Sequence, residues 1–207
     1  MTKRKYQPVV SQIILNDMSN RDNTDLLNSQ YYNELNLDSI KIFDDRIIFH
    51  STVSSITIKK LFEFIKIILE SSIYDRINNR IYIHIISRGG NLQSLYDFLD
   101  IKTNYFANLE LVSVIESSCT DVGFMLASLC DYRIIKKNVI CYMNKLNDNS
   151  KYWGFYEQGE NLLQKFDYVI SKTKYKVSKD KMLKYIKQTN IWNAKKMVKI
   201  GFIDEII

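Results

Sequence analysis

The run "RIYIHIIS", residues 80–87, constrains the fold more than any other stretch. It is rich in isoleucine and nearly apolar throughout, the composition of a strand buried on both faces of a sheet. A glycine-bearing turn follows at once, and "NLQSLYDFLDIKTNY" then becomes helical. The same order recurs on either side. "DRIIFH" (45–50) reads as a strand, and "TIKKLFEFIKIILESS" as a helix whose broad apolar face includes Ile58, Leu61, Phe62, Ile65 and Ile68. "LELVSVIES" reads as a strand and "GFMLASLC" as a helix of small and large apolar residues. Strand–helix alternation of this kind gives an α/β domain with a parallel sheet, built through crossovers. "YRII" and "VICYM" follow as short strands, then helices over about 155–175, 178–187 and 193–200, and "GFIDEII" closes as a strand.

At 207 residues, 46% hydrophobic and 25% charged, the chain is long enough for one domain with a sizeable core. Residues 1–42 are polar and rich in Asn and Asp, with the single proline at Pro8. They read as a flexible or lightly ordered arm ahead of a domain spanning 43–207. The net charge of +6 is spread over Lys3 to Lys5, Lys136-Lys137 and a Lys-rich tail from Lys172 to Lys199. No basic run interleaves with aromatics in the manner of a nucleic-acid groove, so nucleic acid is not the expected partner. Cys119, Cys130 and Cys141 are odd in number and lack CxxC spacing, which argues against a disulfide framework or a zinc site. No apolar stretch reaches ~18 residues, and the start "MTKRKYQPVV" has no secretory core. The expectation is a cytoplasmic protein with free thiols, no metal, no cofactor and no membrane contact.

Two glycine-bearing turns follow successive buried strands: Ser87-Arg88-Gly89-Gly90 and Thr120-Asp121-Val122-Gly123. Ligands of open α/β sheets sit at the C-terminal ends of strands, and backbone N–H groups there can stabilise an oxyanion. Each turn alone is equally an ordinary connection in which glycine supplies a positive φ. The stretch "SSCTDVGFML" is arranged as a fold presents a nucleophile, yet an aspartate stands at its tip.

Four segments in order, "DRIIFH", "IYIHIISRGGNL", "SVIESSCTDVGFMLASLCDYRI" and "NIWNAKKMVKIGFIDEII", resemble the Clp protease proteolytic subunit (ClpP) family. That family belongs to the ClpP/crotonase superfamily, and the resemblance covers roughly residues 43–207. It implies a single-domain spiral of β-β-α units with a C-terminal helical handle. It also implies a ring-forming serine peptidase that works with an ATPase unfoldase. The family's Ser-Pro-Gly-Gly groove turn falls on Ser87, Arg88, Gly89 and Gly90, so Gly89, Gly90 and Val122 are the implied oxyanion and substrate-groove positions. The nucleophilic serine falls on Asp121. The histidine falls best on Met143, with Tyr142 or Asn144 one residue either way. The aspartate falls on about Thr189.

These substitutions bear directly on chemistry. A Ser-His-Asp triad needs an imidazole to take the nucleophile's proton. The only histidines, His50 and His84, both precede the nucleophile turn. An aspartate attacks activated substrates but is poorly matched to an unactivated peptide bond. The expectation is therefore a family homologue without peptidase activity, acting as a structural or regulatory subunit of a homo- or hetero-oligomeric ring. Two enzymatic alternatives remain open. One is a displaced nucleophile, Ser117 or Ser118 (Cys119 and Thr120 also flank the turn), with a lysine base such as Lys136, Lys137 or Lys145. The other is a crotonase-like site with Asp121 as base, against which the absence of any adenine-binding feature counts. For assembly, Leu162, Leu163, Phe166, Val169 and Ile170 form the apolar stripe of the expected handle helix.

Overall fold

The computed structural model describes residues 39–43, 46–71, 79–144, 160–186 and 188–207. The chain divides into two units, Met1–Asn36 and Leu37–Ile207, and the description concerns the second. Its sheet runs β1 (Ser39–Phe43), β2 (Arg46–His50), β3 (Arg80–Ser87), β4 (Glu110–Thr120), β5 (Tyr132–Ile135) and β8 (Glu205–Ile206) in spatial order. β1 is antiparallel to β2, and the remaining neighbours in that order are parallel. β6 (Ile140–Met143) pairs in parallel with the far end of β4, and β7 (Asn190–Asn193) pairs antiparallel to β6. The result is a mixed α/β domain.

Among the described residues six helices accompany it: α1 (Ser55–Glu70), α2 (Ser94–Tyr105), α3 (Asp121–Ser128), α4 (Glu160–Ser171), α5 (Lys179–Ile186) and α6 (Ala194–Ile200). α1 starts where Ser54 and Thr57 cap each other: Thr57 N–H donates to Ser54 Oγ and Ser54 N–H to Thr57 Oγ1. Its buried side chains Ile58, Leu61, Phe62, Ile65 and Ile68 are those the helical spacing selects. They join Ile47 and Phe49 of β2, Ile81, Ile83 and Ile85 of β3, and Leu111 and Ile115 of β4 in one core. The strand residues alternate because side chains point to opposite faces at a period of two.

Register explains how β4 serves two partners. Ile85 pairs with Ile115, but Ser87 pairs with Cys119, so Glu116, Ser117 and Ser118 stand opposite Ile86 alone. This bulge bends β4 away from β5, its neighbour over Val112–Ile115, and toward β6 at Cys119 and Thr120. A parallel bridge between Val53 and Gly90 does the same for the ends of β2 and β3. Each of these strands therefore passes through a short extended crossing segment before its helix begins.

Several differences from the sequence reading are instructive. β1 begins at Ser39, inside the stretch read as an arm; residues 1–38 lie outside the described residues. Ile40 is buried by pairing with β2, the next strand in the chain, within a stretch whose polar neighbours conceal it. β7 lies in a segment read as the approach to a helix, and the closing strand is only Glu205–Ile206. Of the expected handle, α4 is described over Glu160–Ser171, and Val169 and Ile170 are buried in the domain's own core. The side chains of Leu162, Leu163 and Phe166, together with residues 145–159, lie outside the description.

Gly90 makes the crossing possible. Its φ is +145°, and a Cβ built there would fall 2.1 Å from the Val53 carbonyl oxygen. Both the backbone conformation and the contact exclude a larger residue. Gly90→Val should lower stability by about 3 kcal/mol, read as a shift in the urea midpoint. An unchanged midpoint would contradict the close approach.

Candidate functional site

Asp121 is the first residue of α3, with φ +45°. A non-glycine residue with positive φ is strained unless its surroundings hold it, and Asp and Asn are the residues that best tolerate it. Here the surroundings are evident. Asn144, just past β6, donates its backbone N–H to Asp121 Oδ1 at 2.6 Å and its Nδ2 to Oδ2 at 2.7 Å. Both carboxylate oxygens are engaged, and the residue is 3% exposed. Burial raises the Asp121 pKa above the ordinary aspartate value, and the two Asn144 donors partly offset it.

The second turn lies alongside. A Cβ on Gly89 would fall 3.5 Å from Asp121 Cβ and 3.6 Å from the Thr120 carbonyl. Gly89 N–H donates to Ser87 Oγ at 3.3 Å, and its carbonyl accepts from Val53 N–H at 2.8 Å. Gly123 reaches Ser87 so closely that a Cβ would meet Ser87 Cβ at 2.4 Å. Val122, the second residue of α3, has a buried side chain and a backbone N–H within the helix's opening turn, where intrahelical acceptors are lacking. The Ser87–Gly90 and Thr120–Gly123 turns thus form one surface at the C-terminal ends of β3 and β4.

Met143 does not reach this surface. It is buried in the core with Cys141, whereas Tyr142 points outward, and the next residue, Asn144, is the one that meets Asp121. Strand alternation in "ICYM" carried that information, because an apolar residue in phase with Cys141 belongs to the core. Thr189 is exposed, one residue before β7. Met143 pairs with Asn190, so continuing the antiparallel register sets Thr189 opposite Asn144. Positions 121 and 144 are thus in direct contact, and Thr189 lies one residue before the strand that pairs with β6.

The other candidates are placed elsewhere. Ser117 and Ser118 are exposed on the β4 bulge, before the turn. Lys136, a candidate base, is committed to Glu116, with Nζ 3.0 Å from Oε2. Glu116 also holds His84, Oε1 lying 2.7 Å from Nδ1, and both side chains are buried. Sequence reading did not foresee this network; its only trace is a glutamate in a largely buried strand. His50, on β2, has its pKa lowered by burial, partly opposed by the Glu116 charge. Lys137 N–H bonds the Ile207 carbonyl, and Lys145 lies outside the described residues. All three thiols are free and buried, and burial pushes Cys130 and Cys141 up to about 12 and Cys119 well above its usual value. None supplies a thiolate at neutral pH.

Among the described residues no group of three or more His, Cys, Asp or Glu side chains is placed to hold a metal ion. Nor is any described helix long and apolar enough to cross a membrane. No protein-family model matches the chain, and no curated protein matches it in sequence.

Carboxyl-detected NMR should place the Asp121 midpoint above that of free aspartate, because burial outweighs the Asn144 donors. Asn144→Ala removes the side-chain donor and should move the midpoint further up. A downward movement would show that Asn144 does not stabilise the charged form.

Proposed function

We propose that the chain is a non-catalytic homologue of the Clp proteolytic subunit, serving as a structural or regulatory subunit of a ring. One observation carries this reading. Asp121, at the position the resemblance gives to the nucleophile, is bonded to Asn144, one residue beyond the best-placed base position Met143, and neither a serine hydroxyl nor an imidazole stands at that contact. The strand, crossing segment and helix that recur after β2, β3 and β4 are consistent with the spiral of β-β-α units that the resemblance implies. α4 comes after β6 in chain order, as the handle helix of the resemblance would.

The chemistry follows from the side chains. Asn144 is a neutral amide, which donates to a carboxylate but does not accept a nucleophile's proton at physiological pH. Asp121 is buried with one Asn144 donor on each oxygen, which withdraws its charge from a substrate carbonyl, and a carboxylate is in any case poorly matched to an unactivated peptide bond. His84 is buried against Glu116, remote from solvent and hence from any peptide. The active alternative, Ser117 or Ser118 acting with Lys136, would require Lys136 to leave Glu116 and abandon a buried carboxylate, at a cost of several kcal/mol. The crotonase-like alternative would require Asp121 to release Asn144 before acting as base. As a ring subunit the chain would assemble with further copies or with related subunits by heterologous contacts, beside an ATPase unfoldase.

Two measurements test the proposal. The native chain should not be labelled by a fluorophosphonate probe. The triple variant Asp121→Ser, Asn144→His, Thr189→Asp should gain labelling at position 121, whereas Asp121→Ser alone should not. Sedimentation at micromolar concentration should show six or more subunits, alone or after mixing with a related subunit. Labelling of native Ser117 or Ser118 would overturn the inactive reading, and a persistent 24.5 kDa monomer would overturn the ring.

A further inference from the structure

Between residues 172 and 199 the chain carries ten lysines, no arginine and one acidic residue, Asp180. The whole chain has a net charge of only +6, so the remainder is net negative and positive charge is concentrated here. Lys181, Lys184, Lys195 and Lys199 are exposed on α5 and α6, and Lys196 is half-buried. No described carboxylate lies within salt-bridge distance of any of them.

These helices flank β7. Tyr185 of α5 meets Trp192 of β7 edge to face at 5.4 Å between centroids, and the Tyr185 carbonyl accepts from Asn190 Nδ2. α6 follows directly from β7, capped by Asn193, and Lys196 Nζ lies 5.6 Å over the Tyr185 ring. Among the described residues β7 is paired along one edge only, with β6. Its own sequence, "NIWN", carries no charge and no proline, the devices that normally blunt a sheet edge. On the outer face Ile191 is 64% exposed and stands opposite Tyr142, itself 37% exposed, with Ile140 beside them. An open edge, an apolar outer face and a lysine field therefore coincide.

We propose that this edge is a docking site for an extended acidic segment of a partner protein. The segment adds a strand to β7, sets an apolar residue on Ile191 and Tyr142, and lays carboxylates toward Lys184, Lys195 and Lys196. A polypeptide fits better than a nucleic acid for three reasons. Only another peptide backbone can complete the ladder of a strand edge. The exposed isoleucines match apolar side chains. Lysines without arginine offer point charges rather than the fork that reads phosphate and base edges. Four residues of edge provide few hydrogen bonds, so charge steers the encounter and salt weakens it.

Fluorescence anisotropy with the full chain and a labelled eight-residue peptide alternating aspartate and valine tests the site. Saturable binding is expected, weakened about fivefold or more between low and high salt. Ile191→Glu should weaken it by a similar factor without lowering the melting temperature, since that side chain is exposed. Replacing the peptide's valines by prolines should abolish it, because proline cannot extend a ladder. Three outcomes would overturn the proposal. Ile191→Glu could bind as the parent does. Oligothymidylate could bind more tightly than the peptide, which would make the lysines a phosphate surface. Or the peptide could fail to bind while the parent self-associates through Ile191, which would make the edge a contact between copies of this chain.

Discussion

Two places where backbone meets a neighbouring segment with no side chain between them hold the candidate site together. Gly90 lies against Val53, and Gly123 lies against Ser87. The first brings the segment after β3 to the segment after β2; the second brings the start of α3 to the end of β3. With both in place, the Gly89 backbone and the Asp121 turn sit side by side, and the exit of β4 is left one direction, toward β6. A side chain at either glycine would open that junction, because the atoms it would strike are the main chain at Val53 and the base of the Ser87 side chain.

Asp121 then occupies a conformation that a nucleophile turn favours, and Asn144 makes it tolerable. Two donors on one carboxylate offset much of the cost of burying it, which is why a charged residue persists at a 3% exposed position. The opposite end of the domain uses a related device. Arg133 of β5 holds Asp204 through Nε and Nη2 at 2.8 and 2.9 Å, and its backbone N–H adds a third bond. Burial alone would raise the Asp204 pKa, but the Arg133 bonds and charge outweigh it and the value falls. The same residues exchange backbone bonds through Asp204 N–H and the Arg133 carbonyl, fixing the start of β8 beside β5. Carboxylates held by bonded donors thus tie the exits of β4 and β6 together and β5 to β8.

Much of this was legible in the sequence where periodicity is strong. The β3 run, the α1 face and both glycine turns follow from local pattern, and the core residues of α1 are those its spacing selects. What was not legible depends on pairing with another segment. β1 is a strand because β2 pairs with it, β7 because β6 does, and the β4 bulge because that strand changes neighbours midway. At the site, local pattern singles out Asp121 and the Gly89–Gly90 turn, and Gly89 lies beside Asp121 in the fold. The shift from Met143 to Asn144 turned on a single step of strand alternation. The His84–Glu116–Lys136 network joins β3, β4 and the residue after β5, and Glu116 within β4 is its one local trace.

The account rests on Asp121 and Asn144 meeting across the segments that follow β4 and β6, and a double-mutant cycle measures that contact directly. Urea unfolding of the native chain, Asp121→Ser, Asn144→Ala and the double variant gives the coupling, with the strain at position 121 cancelling between the arms. A coupling of at least ~1 kcal/mol is predicted for two charge-assisted bonds, one of them lost with the Asn144 side chain. Additive effects, with coupling near zero, would contradict the contact and with it the account of the site.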